Sequence, residues 1–366
     1  MDKAKKVQYM RLALELAKKA EDMTYPNPMV GAVIVKKGRI IGKGYHRKAG
    51  MDHAEIVALK NSKEDPKGAD MYVTLEPCAH YGKTPPCIPA IVKSGIKRVF
   101  VAMEDPNPIV KGRGIKMLRE AGIPVKTGIC GEEARHINRK YLKFITKGVP
   151  YVTVKLAQTL DGKIAARDGS SKWITSEKCR HFVKRMRSKY DAVMVGANTV
   201  LNDDPLLISE DRTGPKVRVV VDSSLRIQRE AKLIRTAAEV PVVIATTALA
   251  SRSRIKELSR FAGVEILEVK SKDKKVSLKV LFKKLAKRNI VNVLVEGGGE
   301  LVGSLCDEAL VDEWMFFISP KVMGGNRASV KGRGAENINR VMELEEVDFT
   351  KFGEDFLVRG RTCSRG

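Results

Sequence analysis

An α/β architecture in two domains is what this sequence predicts, and three observations predict it. Strand-like runs alternate with segments of helical periodicity, the pattern of helices packed on a sheet. The chain has 366 residues, more than one hydrophobic core usually serves. Ile145-Thr146-Lys147-Gly148-Val149-Pro150 sets Gly and Pro close together, and a new strand pattern starts at Tyr151. The domains are therefore placed at 1–147 and 148–366.

Residues 3–22 read as an amphipathic helix, with Val7, Met10, Leu12, Leu14 and Leu16 supplying much of its apolar content. Tyr25-Pro26-Asn27-Pro28 breaks it. Val30 to Val35 and Arg39 to Gly42 read as a hairpin with Lys37-Gly38 in the turn. A helix opens at Glu55 and runs through Leu59, and Met71 to Leu75 is a strand that ends just before Pro77. Arg98 to Ala102 is the next strand, followed by Lys111-Gly112-Arg113-Gly114 and a helix to Ala121. Beyond the boundary, strands are expected near 151–157, 190–195, 217–222, 241–245, 291–296 and 313–318. Helices are expected near 176–188, 252–261, 276–287 and 300–309, and the Lys-rich stretch 270–288 reads as a solvated helix face.

Composition narrows the function classes. No apolar run approaches the ~18 residues of a membrane span, and Met1 to Met23 is charged throughout, unlike a signal peptide. A cytoplasmic protein without a membrane partner is expected. The net charge is +25, from 68 Lys and Arg against 43 Asp and Glu, which raises nucleic-acid binding as a hypothesis. Against it, the basic residues are spread evenly and aromatics are only 5%, so base-stacking platforms are scarce. A positive field serves phosphorylated small molecules equally well, and no nucleic-acid partner is expected.

The chemistry is concentrated at His53-Ala54-Glu55, Pro77-Cys78 and Cys87. An imidazole and two thiolates suit Zn²⁺, and three protein ligands leave a fourth tetrahedral position open for water. Glu55, two residues from His53, is placed to shuttle a proton without ligating the metal. The order His-x-Glu, Pro-Cys, Cys is that of zinc-dependent nucleobase deaminases. Here eight residues separate the cysteines instead of two, so Ala79 to Pro86 forms a loop, with Thr84-Pro85-Pro86 starting a helix. Cys87 would sit in its first turn, where the helix dipole favours a thiolate. Buried packing cysteines meet part of the same pattern. Cys130, Cys179, Cys306 and Cys363 lack motif spacing and read as reduced or packing residues.

Thr74-Leu75-Glu76-Pro77-Cys78-Ala79-His80-Tyr81-Gly82-Lys83-Thr84-Pro85-Pro86-Cys87 resembles the deaminase half of the bifunctional riboflavin-biosynthesis deaminase–reductase family, as do Asn27-Pro28-Met29-Val30-Gly31 and Asp105-Pro106-Asn107-Pro108. The resemblance continues in Val154 to Ala165, Trp173-Ile174-Thr175-Ser176, Gly196 to Pro205, Asp222-Ser223 and the Glu296-to-Gly299 turn. It thus covers nearly the whole chain. It implies a cytidine-deaminase-like α/β/α domain followed by a dihydrofolate-reductase-like α/β domain. The implied activities are deamination of a phosphoribosylated diaminopyrimidinone and NADPH-dependent reduction of its ribose to a ribityl chain. A homo-oligomer is expected as well.

Carried over residue by residue, the resemblance gives Zn²⁺ to His53, Cys78 and Cys87, with Glu55 as the proton shuttle. Asn27 and Asp105 would fix the ring and ribose, and His80 and Lys83 the phosphate, although a plain loop histidine also explains His80. It puts NADPH against Ala157, Trp173, Thr199, Asp203, Ser223 and the turn 298–304, including Gly298 and Gly299. It puts the second substrate near Lys155, Ser171, Arg187, Leu207 and Glu296. The Gly-rich turn taken alone is also what an ordinary tight turn looks like. One position departs: the family carries an Arg shortly after Asp-Pro-x-Leu, whereas Ile208-Ser209-Glu210-Asp211 intervenes here before Arg212. The alternatives are a nucleoside or tRNA deaminase with an appended domain, and a zinc-stabilised nucleic-acid-binding protein without catalysis.

Overall fold

The structure is a computed structural model, and it describes residues 2–82, 84–210 and 214–363. Lys83 and Arg212 therefore lie outside the described residues. The chain divides into two compact units, Met1–Gly148 and Val149–Gly366.

The first unit is a five-stranded sheet with helices on both faces. Its strands are β1 (Gly31–Lys36), β2 (Arg39–Tyr45), β3 (Asp70–Val73), β4 (Arg98–Val101) and β5 (Val125–Thr127), in the order β2-β1-β3-β4-β5. β1 pairs antiparallel with β2 and β3, and β3, β4 and β5 run parallel. Its helices are α1 (Lys3–Lys18), α2 (Ala54–Lys60), α3 (Cys87–Lys93), α4 (Arg113–Glu120), α5 (Gly131–Ile137) and α6 (Arg139–Lys147). Alternate residues feed two cores, because successive side chains on a strand point to opposite faces. Ala32, Ile34, Met71, Val73, Val99 and Val101 pack with Ala54 and Ala58 of α2, Ile91 of α3 and Leu118 of α4. Val33, Val35, Tyr72 and Phe100 pack with Met10 and Ala13 of α1 and Ala134 of α5. The hairpin turn falls on Lys37 and Gly38, both left-handed, as a two-residue turn matching strand twist requires.

The second unit has a nine-stranded sheet built from β6 (Tyr151–Thr159), β7 (Ala192–Gly196), β8 (Val217–Val221), β9 (Val242–Thr246), β10 (Val264–Glu268), β13 (Asn292–Val295), β14 (Glu313–Ser319), β15 (Leu344–Phe352) and β16 (Asp355–Thr362). A separate small hairpin pairs β11 (Ser271–Lys272) with β12 (Lys275–Val276). The order is β10-β9-β8-β7-β13-β6-β14-β16-β15, parallel from β10 to β14 and antiparallel over the last two. α7 (Glu177–Met186), α8 (Ala197–Asp203), α9 (Lys232–Arg235), α10 (Arg252–Leu258), α11 (Leu278–Ala286) and α12 (Gly299–Asp307) connect the strands. Leu281, Phe282 and Leu285 of α11 and Val302 and Leu305 of α12 cover one face, and Val183 of α7 and Leu233 of α9 the other. Burial on both faces is why these strands read as continuous Val and Ile runs.

Three expectations need correction. α1 ends at Lys18, not at residue 22, and turns follow, with Asp22 left-handed at φ 62°. The Lys-rich stretch is split: its first part forms the β11–β12 hairpin, and only 278–286 is helical. The β15–β16 hairpin went unread because β15 is exposed along nearly its whole length, so no apolar alternation marks it.

Candidate active sites

In the first unit, two helix starts and the loop after β3 converge. His53 is the residue before α2, with extended backbone, and Cys87 is the first residue of α3. Cys78 is drawn to Cys87 because the Cys87 N–H donates to its carbonyl (3.2 Å) and lies 3.4 Å from its Sγ. His53 Nδ1 lies 3.2 Å from each sulfur, and the sulfurs are 3.5 Å apart. Among the described residues, these three are the ones whose possible donor atoms all fall within 4.8 Å of one another. Ligands about 2.0–2.3 Å from a tetrahedral zinc would stand roughly 3.6–3.8 Å apart, so a slight expansion admits the ion. The protons agree with this. The contact between the two sulfurs pulls the Cys78 thiol down and pushes the Cys87 thiol up, and a divalent cation between them would take the place of that contact.

Glu55, in the first turn of α2, is buried at 3% exposure. Burial, with the neighbouring Cys78 charge adding to it, pushes its carboxyl up to about 7. A carboxyl poised there can both take and return a proton near neutral pH.

Two neighbours have no place among the site residues expected from the sequence, where His46 lacks the spacing of a fourth metal ligand and Thr84 reads as part of a helix start. Thr84 Oγ1 lies 3.0 Å from His53 Nε2. With Nδ1 turned to the position of a metal between the sulfurs, Nε2 would carry the proton and donate to Thr84 once zinc is bound, fixing tautomer and ring orientation. His46, buried at 2%, sets its ring edge-on to His53 at 5.3 Å; its Nε2 is 3.1 Å from Asn27 Nδ2 and its Nδ1 3.2 Å from the Asp52 carbonyl. Burial lowers the His46 pKa, favouring the neutral ring. The T-L-E-P-C segment itself is held from below. Glu76, buried at 4%, accepts from the N–H groups of Asp105, Gly112, Gly114 and Ile115. Asp105 accepts from Tyr141 Oη at 2.9 and 3.2 Å, and burial raises its pKa against the Asn107 N–H and the Tyr141 hydroxyl that it accepts from. His80 is half-buried, and its Nδ1 has no hydrogen-bond partner.

In the second unit, a cleft of about 700 Å³ opens where β7, β8 and β13 end, beside Lys155–Ala157 in the middle of β6. Ala157, Trp173, Thr199, Asp203, Ser223, Gly298 and Gly299 line it, as do Lys155, Ser171 and Glu296. Gly297 and Gly298 both take positive φ (82° and 71°), bending the chain from β13 into α12 along the cleft wall, and a helix N-terminus there suits an anion. Ser171 donates to Asp203 Oδ1 (3.1 Å). Trp173, 62% exposed, has the Arg180 guanidinium over its ring, 4.2 Å from the centroid, and Lys321 donates to the carbonyls of Trp173 and Ile174.

Arg187 and Leu207 do not line this cleft. Arg187 grips Glu296 through both carboxylate oxygens (2.6 and 2.9 Å) and donates to the Ile208 carbonyl. Leu207 is a core residue at 2% exposure, with φ 56°. Burial would raise the Glu296 pKa, but the Arg187 and Lys155 charges outweigh it and hold the group below the usual carboxylate range. Burial lowers the Lys155 pKa, against the opposing pull of Glu296.

Comparison with known proteins adds the following. Residues 150–358 match the family model described as the RibD C-terminal domain, and residues 3–103 match the cytidine and deoxycytidylate deaminase zinc-binding region. The riboflavin biosynthesis protein RibD of Aquifex aeolicus is 44% identical over 352 residues, covering 96% of each chain. That of Escherichia coli K12 is 37% identical, covering 94% of this chain and 95% of the relative. Among solved structures, Acinetobacter baumannii RibD superposes with a TM-score of 0.85 at 37% identity, covering 99% of both chains. A Thermotoga maritima protein described as a diaminohydroxyphosphoribosylaminopyrimidine deaminase/5-amino-6-(5-phosphoribosylamino)uracil reductase gives a TM-score of 0.81 at 36% identity, covering 98% of this chain and 99% of that one.

Proposed function

The chain belongs to the RibD family of bifunctional riboflavin-biosynthesis deaminase–reductases, and on that premise we propose how its own residues divide the work. It is an enzyme of riboflavin biosynthesis that deaminates 2,5-diamino-6-(5-phosphoribosylamino)pyrimidin-4-one with zinc and then reduces the ribosyl group to a ribityl chain with NADPH. A nucleoside or tRNA deaminase with an appended domain is set aside, because bifunctional relatives match both halves over most of their own lengths.

The observation that carries the deaminase assignment is His53 Nδ1 at 3.2 Å from both Cys78 and Cys87 Sγ, beside the buried Glu55. Zinc held by these three ligands supplies a Lewis acid that makes water acidic near neutral pH. The Glu55 carboxylate accepts the water proton and passes it to the departing amine, releasing ammonia. Asn27 orients the ring beside His46, and Asp105, steadied by Tyr141, receives the ribose end. His80 faces the same substrate from the loop between the cysteines.

For the reductase half, NADPH supplies the hydride when bound. The Gly297–Gly299 turn offers N–H groups to its phosphates, and Ala157, Trp173, Thr199, Asp203 and Ser223 shape the remaining wall. Lys155 and Glu296 contact the second substrate, with Ser171 beside them. Arg187 acts through Glu296, and Leu207 offers only its backbone. A homo-oligomer acting in the cytoplasm completes the proposal; no helix among the described residues is long and apolar enough to cross a membrane.

The deciding experiment follows NADPH oxidation by the purified protein given the aminated pyrimidine and, separately, its deaminated product. The expected result is oxidation with both, and loss of the first alone on chelation of zinc. No oxidation with the deaminated compound would break the assignment of the second unit.

A further inference from the structure

We propose that Lys274 and Lys275 form the subsite for the adenosine 2′-phosphate of the reductase's dinucleotide, and so set its preference for NADPH over NADH. The inference rests on reading the second unit's cleft as the dinucleotide site.

The layout of the sheet fixes the direction of the ligand. Lys155 in the middle of β6 and Glu296 just past β13 stand side by side where hydride must be delivered. The phosphate-binding turn at Gly297–Gly299 comes next, and the cleft ends at Ser223, just past β8. In the order β8-β7-β13-β6, β6 and β8 are three strand spacings apart, about 14 Å. That span places the adenosine half of a dinucleotide at the β8 end when its nicotinamide lies by Lys155.

The groups at that end suit a phosphate and not a free diol. An NADH site offers a carboxylate to the ribose 2′-OH, whereas an NADPH site offers cations to the 2′-phosphate. The one carboxylate at the end of β8, Asp222, is fully buried in its side chain and accepts from the Ile227 N–H (2.9 Å), turned away from the cleft. The cleft wall instead presents Ser223, Ser224, Arg226, Lys274 and Lys275. Arg226 is partly committed, since it donates to Asn198 and faces Asp222 at 3.6 Å. Among the described residues, neither Lys274 nor Lys275 is ion-paired, whereas Lys272 on the same hairpin faces Glu308 at 3.6 Å.

The two lysines are presented on a fixed support. β11 and β12 pair in a defined register, and Asp273 and Lys274 fill the turn with φ of 50° and 60°, the left-handed pair of a two-residue hairpin. At the base, Val276 is buried in the core and its N–H donates to Ser223 Oγ (3.2 Å), tying the hairpin to the end of β8. Two ammonium groups at a cleft rim bind a dianionic phosphate by charge-assisted hydrogen bonds, which a hydroxyl does not reward.

Calorimetric titration of the full-length protein with NADP⁺, NAD⁺ and adenosine 2′,5′-bisphosphate tests this without turnover. The double variant Lys274→Ala/Lys275→Ala is expected to bind NADP⁺ and the bisphosphate about 10- to 100-fold more weakly, with NAD⁺ held within about twofold. Lys274→Arg/Lys275→Arg is expected to restore the discrimination. Equal weakening of NADP⁺ and NAD⁺ would overturn the proposal, since the lysines would then serve a part common to both. Unchanged NADP⁺ affinity would overturn it too. Failure of the unaltered protein to bind either dinucleotide would remove the cleft assignment itself, and the proposal with it.

Discussion

Replacing Glu76 by Gln tests how the metal loop is held. The carboxylate accepts four backbone N–H groups: Asp105 (3.2 Å) and Gly112 (3.0 Å) on Oε2, Gly114 (2.9 Å) and Ile115 (3.2 Å) on Oε1. Three of them belong to the start of α4 or the glycine before it, where the helix dipole also favours a negative charge. The amide of Gln keeps one oxygen and sets an NH₂ against the other two donors. Two buried N–H groups lose their acceptor, at about 1–3 kcal/mol each, so the cost is about 2–6 kcal/mol. With a urea slope of about 2 kcal/mol/M, the unfolding midpoint of the first unit falls by roughly 1–3 M. Zinc release into a chromogenic chelator follows that unit during urea titration, and reductase activity of the second serves as the internal control. Because Glu76 is two residues from Cys78, zinc should escape at lower urea while reduction persists as before. A midpoint within about 0.3 M of the unaltered protein would refute the clasp.

Further outcomes follow from the same geometry. Glu55→Ala should retain zinc and lose deamination by about 10²–10⁴-fold, measured as ammonia release; persistent deamination would remove its proton-transfer role. Cys78→Ser should lose the metal and deamination while leaving NADPH oxidation with the deaminated compound intact, as elemental analysis and absorbance would show. Thr84→Val removes the partner of His53 Nε2, and zinc affinity is expected to drop about 10- to 100-fold with the reductase unaffected; unchanged affinity in a chelator competition would count against that bond.

The sequence was most legible where chemistry and backbone punctuation coincide. Pro85-Pro86 does announce a helix beginning at Cys87, and Lys37-Gly38 does mark the hairpin, because both signals are local. His53 and Cys87 at two helix starts could be anticipated for the same reason, although their 3.2 Å approach is tertiary. What stayed illegible depends on partners far along the chain. Glu76 was read as one letter of a motif, and nothing local shows that its acceptors' donors are 29 to 39 residues away. Thr84 was read as part of a helix start, and its link to His53 crosses 31 residues. Lys274 and Lys275 were absorbed into a solvated helix, since a Lys-rich run has the same composition on a hairpin tip. Leu207 illustrates the converse: its position in the motif does not tell a core side chain from a ligand contact made by backbone.

Two buried glutamates show how environment assigns roles that residue identity leaves open. Glu55 has no Arg or Lys fork on its oxygens, so without the metal burial prevails and its carboxyl rises to about 7; zinc on the neighbouring ligands would pull it back down, toward the ionised form that accepts the water proton. Glu296 is equally enclosed, but the Arg187 fork holds both its oxygens, so it stays ionised and serves as a fixed acceptor and counter-charge to Lys155. Exchanging that environment should exchange the behaviour. Arg187→Met leaves Glu296 buried without its main cation, and its pKa must rise because the opposing contribution is gone. A carboxylate depressed in the folded state contributes stability above its unfolded pKa and loses it as pH falls; with the pKa raised, protonation begins at higher pH. The acid limb of reductase activity should therefore move upward in pH, while Arg187→Lys, which keeps a point charge but not the fork, should move it less. An acid limb that stays in place in Arg187→Met, in a protein that still binds NADP⁺, would mean that ionised Glu296 is not what the reduction requires.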